Sequence, residues 1–254
     1  MNLSLCTLRN IDIELAEQER IAFADVFWPM LSSGFTARQK YGADYTVAGK
    51  DGVHPGWAGQ TVMAYAFLKA MGLDGDIGTF TVDFAGGKAS ASAGHEVVAS
   101  KAGEVTIKSN RYPFCATGDE KSDATIRSGM TLVPFNQELN RLLLVVKNAP
   151  ANGCNVTWGA ETKTYSAEQL NRGVNLTTDF ATNPFSDAFK KVDEAVLAKQ
   201  AYETKQIKKE FRSPEAKASM EAVVARTEQE RAPLAAAIKA AFVPVTHTIK
   251  ITAQ

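Results

Sequence analysis

The stretch "GTFTVDF" (residues 78–84) alternates in strict period two, with Phe80, Val82 and Phe84 on one side and Thr79, Thr81 and Asp83 on the other. That period is the mark of a strand with one face buried. Upstream of it the pattern is different. "IDIELAEQER" (11–20) reads as a charged helix. "IAFADVFWPM" (21–30) is an apolar run with β-branched and aromatic residues that ends at a proline, and it reads as a buried strand of a parallel sheet. "SSGFTARQKYG" (32–42) offers a short helix or loop, and Gly49, Gly52, Pro55 and Gly56 mark a sharp loop. Val62, Ala66, Phe67 and Met71 then recur at helical spacing, with Gly72 placed as a C-cap.

Downstream the period-two pattern continues. "GEVTIKS" (103–109) alternates, "RLLLVVKN" (141–148) is a short apolar run, and "CNVTWGAETKTY" (154–165) reads as a hairpin around Gly159-Ala160. Together these imply an antiparallel β module, a small sandwich. Beyond it the chain turns helical. Asn183-Pro184 supplies an N-cap and an N1 proline, and Phe185, Phe189, Val192 and Val196 form one apolar face of a helix running to about Phe211. Ser213-Pro214 repeats the start signal, and Met220, Val223, Val224, Leu234 and Ile238 continue a second stripe that Pro233 should kink or restart. "VTHTIKIT" (245–252) alternates again and returns as a strand. The expected class is α+β, with an α/β portion over 1–75 and a β module over 76–254 that carries a helical hairpin at about 184–242.

Bulk properties narrow the function classes. The chain has 254 residues, 45% hydrophobic and 22% charged, with a formal net charge of zero. No broad field is present to attract nucleic acid or an acidic membrane, and no apolar run approaches the roughly 18 to 20 residues of a membrane span. "MNLSLCTLRN" lacks the basic start and long apolar stretch of a signal peptide, so the chain as it stands reads as cytoplasmic. Cys6, Cys115 and Cys154 lack metal-ligand spacing, and an odd count argues against a disulfide framework. A single Cys115–Cys154 bridge is the minority alternative. "GLDGDIG" (72–78) has too few oxygen ligands for a calcium loop and reads as a connecting turn. His95 and His247 have no carboxylate neighbours in sequence and read as structural or solvent-facing.

The chemistry-bearing stretch is "KDGVHPGWAGQTVMAYAFLKAMGL" (50–73). A histidine base needs a carboxylate on one ring nitrogen, which sets the tautomer and stabilises the imidazolium, and a nucleophile on the other. Asp51 and His54, three residues apart in a glycine-containing loop, have the spacing to meet in this way. Pro55 biases His54 toward extended backbone. The longer stretch resembles the D-x-x-H-P block of the SGNH (GDSL-like) hydrolases through Asp51, His54, Pro55, Gly59, Met63 and Ala64. The run at 21–30 looks like the late core strand of that fold. "SNRYPFC", "LVPFNQELNRLLLVV" and "VNLTTDFATNPF" look like the C-terminal extension of some bacterial members.

The resemblance implies His54 as general base, Asp51 as its orienting acid, an acyl-serine route to hydrolysis of carboxylic esters or lactones, and no metal or other cofactor. Acylated sugars or other small-molecule esters are the implied substrates. The family's G-D-S and G-x-N-D motifs are absent from this chain, which corresponds to the later part of such a hydrolase. Ser32, Ser33 and Cys6 are the local nucleophile candidates, with Ser4 also upstream of the motif, and Trp57 is a candidate pocket residue. A homodimer is the expected way to cover an incomplete sheet. The alternative function is a catalytically idle module that binds a glycan or a protein.

Overall fold

The computed structural model describes residues 2–254. It is mixed α+β, as the alternation implied. The first helices are α1 (Asn2–Glu19), α2 (Phe27–Tyr41) and α3 (Trp57–Ala70), followed by strands β1 (Asp76–Asp83), β2 (Ala89–Ala91), β3 (His95–Lys101) and β4 (Glu104–Ser109). Short helices α4 (Ile126–Met130) and α5 (Phe135–Glu138) lead to β5 (Arg141–Lys147), β6 (Cys154–Trp158) and β7 (Glu161–Tyr165). Then come α6 (Ala167–Arg172), β8 (Val174–Asn175), α7 (Leu176–Asp179), α8 (Ser186–Lys208), α9 (Pro214–Ala218), α10 (Met220–Ala241) and β9 (Val245–Ala253). The strands form a four-stranded sheet in the order β2-β1-β5-β8 and a five-stranded sheet in the order β3-β4-β9-β6-β7. No helix among the described residues is long and apolar enough to cross a membrane.

The chain divides into two compact units, and the division falls inside β1 and inside β5. The first unit holds the stretch ending at Thr79 together with Ala116–Leu144 and Gly173–Ala181. Its core is Ala37, Tyr45, Val47, Ala58 and Val62, with Met30, Tyr41, Leu132 and Val133 packed against them. The small residues Ala37 and Ala58 let α2 and α3 approach closely, so the loop between them is anchored on both sides.

One expectation in this unit is overturned. The apolar run at 21–30 is not a strand: Ile21–Val26 has neither helix nor strand, and α2 begins at Phe27. A strand exists only through its ladder partners, and among the described residues Ala22, Phe23 and Ala24 make no main-chain hydrogen bond. Pro29, which reads as a strand terminus, instead sits in the first turn of α2, where a missing N–H costs nothing. Asp25 supports that start by accepting the Trp28 N–H at 3.3 Å.

The second unit holds Phe80–Cys115, Val145–Arg172 and Thr182–Gln254. Here the alternation read from sequence becomes burial. Val105 and Ile107 of β4, Ile249 and Ile251 of β9, and Val156 and Trp158 of β6 all point into the core. β4, β9, β6 and β7 pair antiparallel, with Ile107 opposite His247 and Trp158 opposite Ile249. All three cysteines are free thiols, so the Cys115–Cys154 bridge does not form. Burial pushes the Cys115 thiol up to about 11.

The expected hairpin is present as α8 and α10, with shifted ends. α8 starts at Ser186 with Phe185 as its N-cap and no side-chain cap, not with Asn183 as N-cap and Pro184 at N1 as the Asn-Pro pair suggested; Asn183 Oδ1 instead accepts the Phe185 N–H at 3.0 Å in the turn before the helix. α10 runs unbroken through Pro233. Pro233 and Gln229, whose carbonyl loses its partner, are both exposed, so water can satisfy the freed carbonyl and the helix need not restart.

A polar chain crosses the core of this unit. Trp158 Nε1 donates to His247 Nδ1 at 3.1 Å, and His247 Nε2 lies 3.0 Å from Ser109 Oγ, which lies 2.8 Å from His95 Nδ1. An indole N–H can only donate, so Nδ1 of His247 accepts and its Nε2–H donates to Ser109. Burial, with His95 nearby, pushes the His247 pKa down to about 4. The unfolded chain therefore binds this proton before the folded one does. The neutral-ring contribution is complete above the ordinary histidine pKa and is lost as pH falls from about 6.5 to about 4. We expect stability at pH 4 to lie about 3 kcal/mol below that at pH 7.5 through this group. Urea unfolding across that range, compared with a His247→Gln variant whose dependence should be shallower, checks it.

Candidate active site

The loop between α2 and α3 carries the Asp51–His54 pair. Asp51 Oδ1 accepts the main-chain N–H groups of Val53 and His54, each at 3.0 Å. This is an Asx-type turn, the local bond that aspartate makes with backbone two and three residues on. The other oxygen, Oδ2, lies 2.7 Å from His54 Nδ1. One carboxylate thus folds the turn and grips the ring. The His54 ring, and after it the His54 and Val53 N–H groups, hold the Asp51 carboxyl well below the usual carboxylate range. An ionised Asp51 accepts the hydrogen bond from Nδ1–H, which leaves Nε2 with its lone pair free to act as a base. The pair is open to water, with side chains 85% and 56% exposed for His54 and Asp51.

Two glycines make this loop buildable. Gly49 has φ +80°, and a Cβ there would sit 2.1 Å from the His54 carbonyl oxygen. A Cβ on Gly59 would lie 2.0 Å from the Val47 carbonyl oxygen and 2.6 Å from Pro55 Cβ. Both clashes are with backbone or a rigid ring, so the loop must move if either glycine is filled. Gly59→Ala is expected to cost about 1 to 3 kcal/mol of stability. It should also separate the His54 ring from Asp51. Calorimetry and the titration of the Asp51 carboxyl read the two effects.

The pair borders a cleft of about 1220 Å³. Its walls are Leu5 and Leu8 of α1, Phe23–Phe27, Met30, Leu31 and Phe35 of α2, the 45–55 loop, and Gln60 and Met63 of α3. Arg9 crosses it to Asp25, with Nε at 2.9 Å and Nη2 at 2.5 Å from the same carboxylate oxygen. Arg38 and Lys50 also line it, and among the described residues their side chains have no hydrogen bond or ion pair. The cleft wall is therefore largely apolar, with Arg38 and Lys50 as cationic groups among its lining residues.

The other candidates lie elsewhere. Ser32 is exposed and donates to the Trp28 carbonyl of its own helix at 2.8 Å. Ser33 is 2% exposed and donates to the Leu132 carbonyl at 3.4 Å. Cys6 is half-buried on α1, Ser4 is exposed, and Trp57 is 55% exposed at the start of α3. None of these five lines the cleft, and the structure brings none of them to His54. Among the described residues the one aliphatic hydroxyl in the cleft wall, that of Thr46, is bonded to Asp123 at 2.8 Å. Among the described residues no group of three or more histidine, cysteine, aspartate or glutamate side chains is placed to hold a metal ion. The sequence reading missed Asp123 and Arg38, because each becomes relevant only through neighbours distant in the chain.

No family model matches this sequence, and no curated protein matches it. Among solved structures it is similar to BT4096, a gut microbial diltiazem-metabolizing enzyme, with a TM-score of 0.70 and 19% identity. The match covers 98% of this chain and 66% of that one, so the chain spans about two thirds of its neighbour's length. At this identity the likeness establishes the fold.

Proposed function

We propose that this chain carries the base system of a carboxylic ester hydrolase of the SGNH type. His54 Nε2 takes a proton from the attacking hydroxyl, and Asp51 holds the ring and balances the imidazolium charge. The observation that carries the reading is the 2.7 Å contact between Asp51 and His54 Nδ1 at the edge of an open cleft. A further support is that the solved neighbour of the same fold is itself a drug-metabolizing enzyme. Small-molecule esters or lactones and acylated sugars are the substrate class.

The nucleophile is the remaining element. Among the described residues no serine or cysteine lines the cleft. In this proposal the serine comes from a polypeptide segment seated across the open face, where Ala22–Ala24 offer unpaired backbone beside the apolar wall. About a third of the neighbour's chain has no counterpart here. Without that segment, His54 can act only on water.

A second reading is favoured by one observation, the lack of a nucleophile in the cleft: the pair is idle and the cleft only binds a protein or glycan. A short-chain p-nitrophenyl ester and a fluorophosphonate probe separate the two. Slow, His54-dependent turnover without a covalent adduct on Ser32 or Ser33 fits the proposal. Absence of any protein-dependent turnover sinks it. An adduct mapped to a local serine by mass spectrometry replaces the docked nucleophile with that residue.

A further inference from the structure

The turn bearing Asp51 and His54 is tied together from within. Gly49 N–H bonds to the Thr46 carbonyl at 3.3 Å and Gly52 N–H to the Gly49 carbonyl at 3.1 Å, and every bond of Asp51 stays inside the turn. These bonds set the shape of the turn but do not attach it to the rest of the unit. The attachment comes from a segment far along the chain. Asp123 Oδ2 accepts the Thr46 N–H at 3.1 Å and the Thr46 hydroxyl at 2.8 Å, across 77 residues of sequence. The carbonyl of the same residue accepts the Ala58 N–H at 3.1 Å. Thr46 precedes the turn and Ala58 follows it, so one residue grips both of its ends.

The surroundings show that this contact is tight. A Cβ on Gly56 would come within 3.1 Å of the Asp123 carbonyl oxygen, and one on Gly129 within 2.5 Å of the Ala58 carbonyl oxygen. Tyr45 hydrogen-bonds Ser128 at 2.5 Å alongside. Asp123 has no hydrogen bond to His54 and does not itself line the cleft, which it reaches only through Thr46. It acts through Thr46 and Ala58.

We propose that Asp123 is a positioning residue, whose two-ended grip on the loop holds the Asp51–His54 pair in its geometry. Its effect on turnover rests on the ester-hydrolase reading, whereas its effect on the pair does not. Loss of the carboxylate frees the Thr46 end while Ala58 stays bonded to the main-chain carbonyl, so the ends of the turn can part, and the donors that keep the Asp51 proton affinity low spend less time in place.

The test is a carbon-13 NMR titration of the Asp51 side-chain carboxyl in Asp123→Ala, Asp123→Asn and Thr46→Val, with far-UV circular dichroism to establish folding. Asp123→Ala should raise the Asp51 midpoint by roughly one pH unit, since lost hydrogen bonds to the charged form raise a carboxyl pKa. Asp123→Asn keeps an acceptor oxygen and should raise it less. Thr46→Val removes only the hydroxyl contact, leaves the N–H contact, and serves as the readout should Asp123→Ala fail to fold. Any ester turnover should fall roughly tenfold in kcat with KM unchanged, as expected of a misplaced base. An upward shift without ester turnover supports the positioning role and removes only the hydrolase reading. An unmoved Asp51 midpoint in folded Asp123→Ala, or in Thr46→Val where that variant stands in for it, overturns the positioning role whatever the turnover.

Discussion

His54→Ala is expected to lower protein-dependent hydrolysis of a short-chain p-nitrophenyl ester about a hundredfold or more, the range that a positioned general base supplies. The substitution removes the one imidazole among the described residues of the cleft. It should leave the fold intact, because the His54 side chain is 85% exposed and touches little besides Asp51. The stability control is therefore informative: an equal melting temperature with a lost rate places the effect in the chemistry. Asp51→Asn is the companion variant. An amide can turn its NH₂ toward Nδ1, which would then have to accept, pushing the ring proton onto Nε2 and removing the base. It also removes the turn's charged acceptor for the Val53 and His54 N–H groups. Asp51→Asn should thus lose most of the rate and some loop order. An unchanged rate in His54→Ala would remove the hydrolase reading altogether.

Trp158→Ala is expected to destabilise the second unit by about 4 kcal/mol, in the range for removing a large aromatic from a closed core. Trp158 is fully buried, and its ring packs edge-on against Phe185 and His247. The loss has two parts that a second variant divides. Trp158→Phe keeps most of the apolar volume but removes the indole N–H that donates to His247 Nδ1. Leaving that buried acceptor unsatisfied should cost about 1 to 3 kcal/mol. Urea unfolding followed by far-UV circular dichroism measures both variants at pH 7.5, where His247 is neutral. The acid dependence should also flatten in Trp158→Phe, since the group that opposes a proton on Nδ1 is gone. A Phe variant as stable as the parent would show that the indole contributes by packing alone.

How far the sequence could be read depends on how local each feature is. The strands were legible because burial alternates with the chain itself: Phe80 and Val82, Val105 and Ile107, Ile249 and Ile251 all bury as their period implies. The α8–α10 hairpin was legible from its stripes, although α8 begins at Ser186 with Phe185 as its N-cap, past the Asn-Pro signal. The run at 21–30 was misread because an apolar segment shows that it will be covered but not by what. Its helix start at Phe27 depends on Pro29 falling in a first turn, and its lack of a ladder depends on which chains lie beside it.

The same division holds at the site. The sequence alone put Asp51 and His54 within reach of each other, through a three-residue spacing and a flanking proline in a single loop. Gly49 was legible as a loop marker, but the close contacts that keep Gly49 and Gly59 glycine arise only in the folded loop. Only the tertiary structure decided that the pair opens on an apolar cleft, that Ser32, Ser33, Cys6 and Trp57 lie outside it, and that Asp123 binds both ends of the loop. These depend on segments brought together by burial of Ala37, Tyr45, Val47, Ala58 and Val62. Hydrophobic packing is non-directional, so the pattern of apolar residues says that such segments will meet, and only the packed core says which side chains face each other.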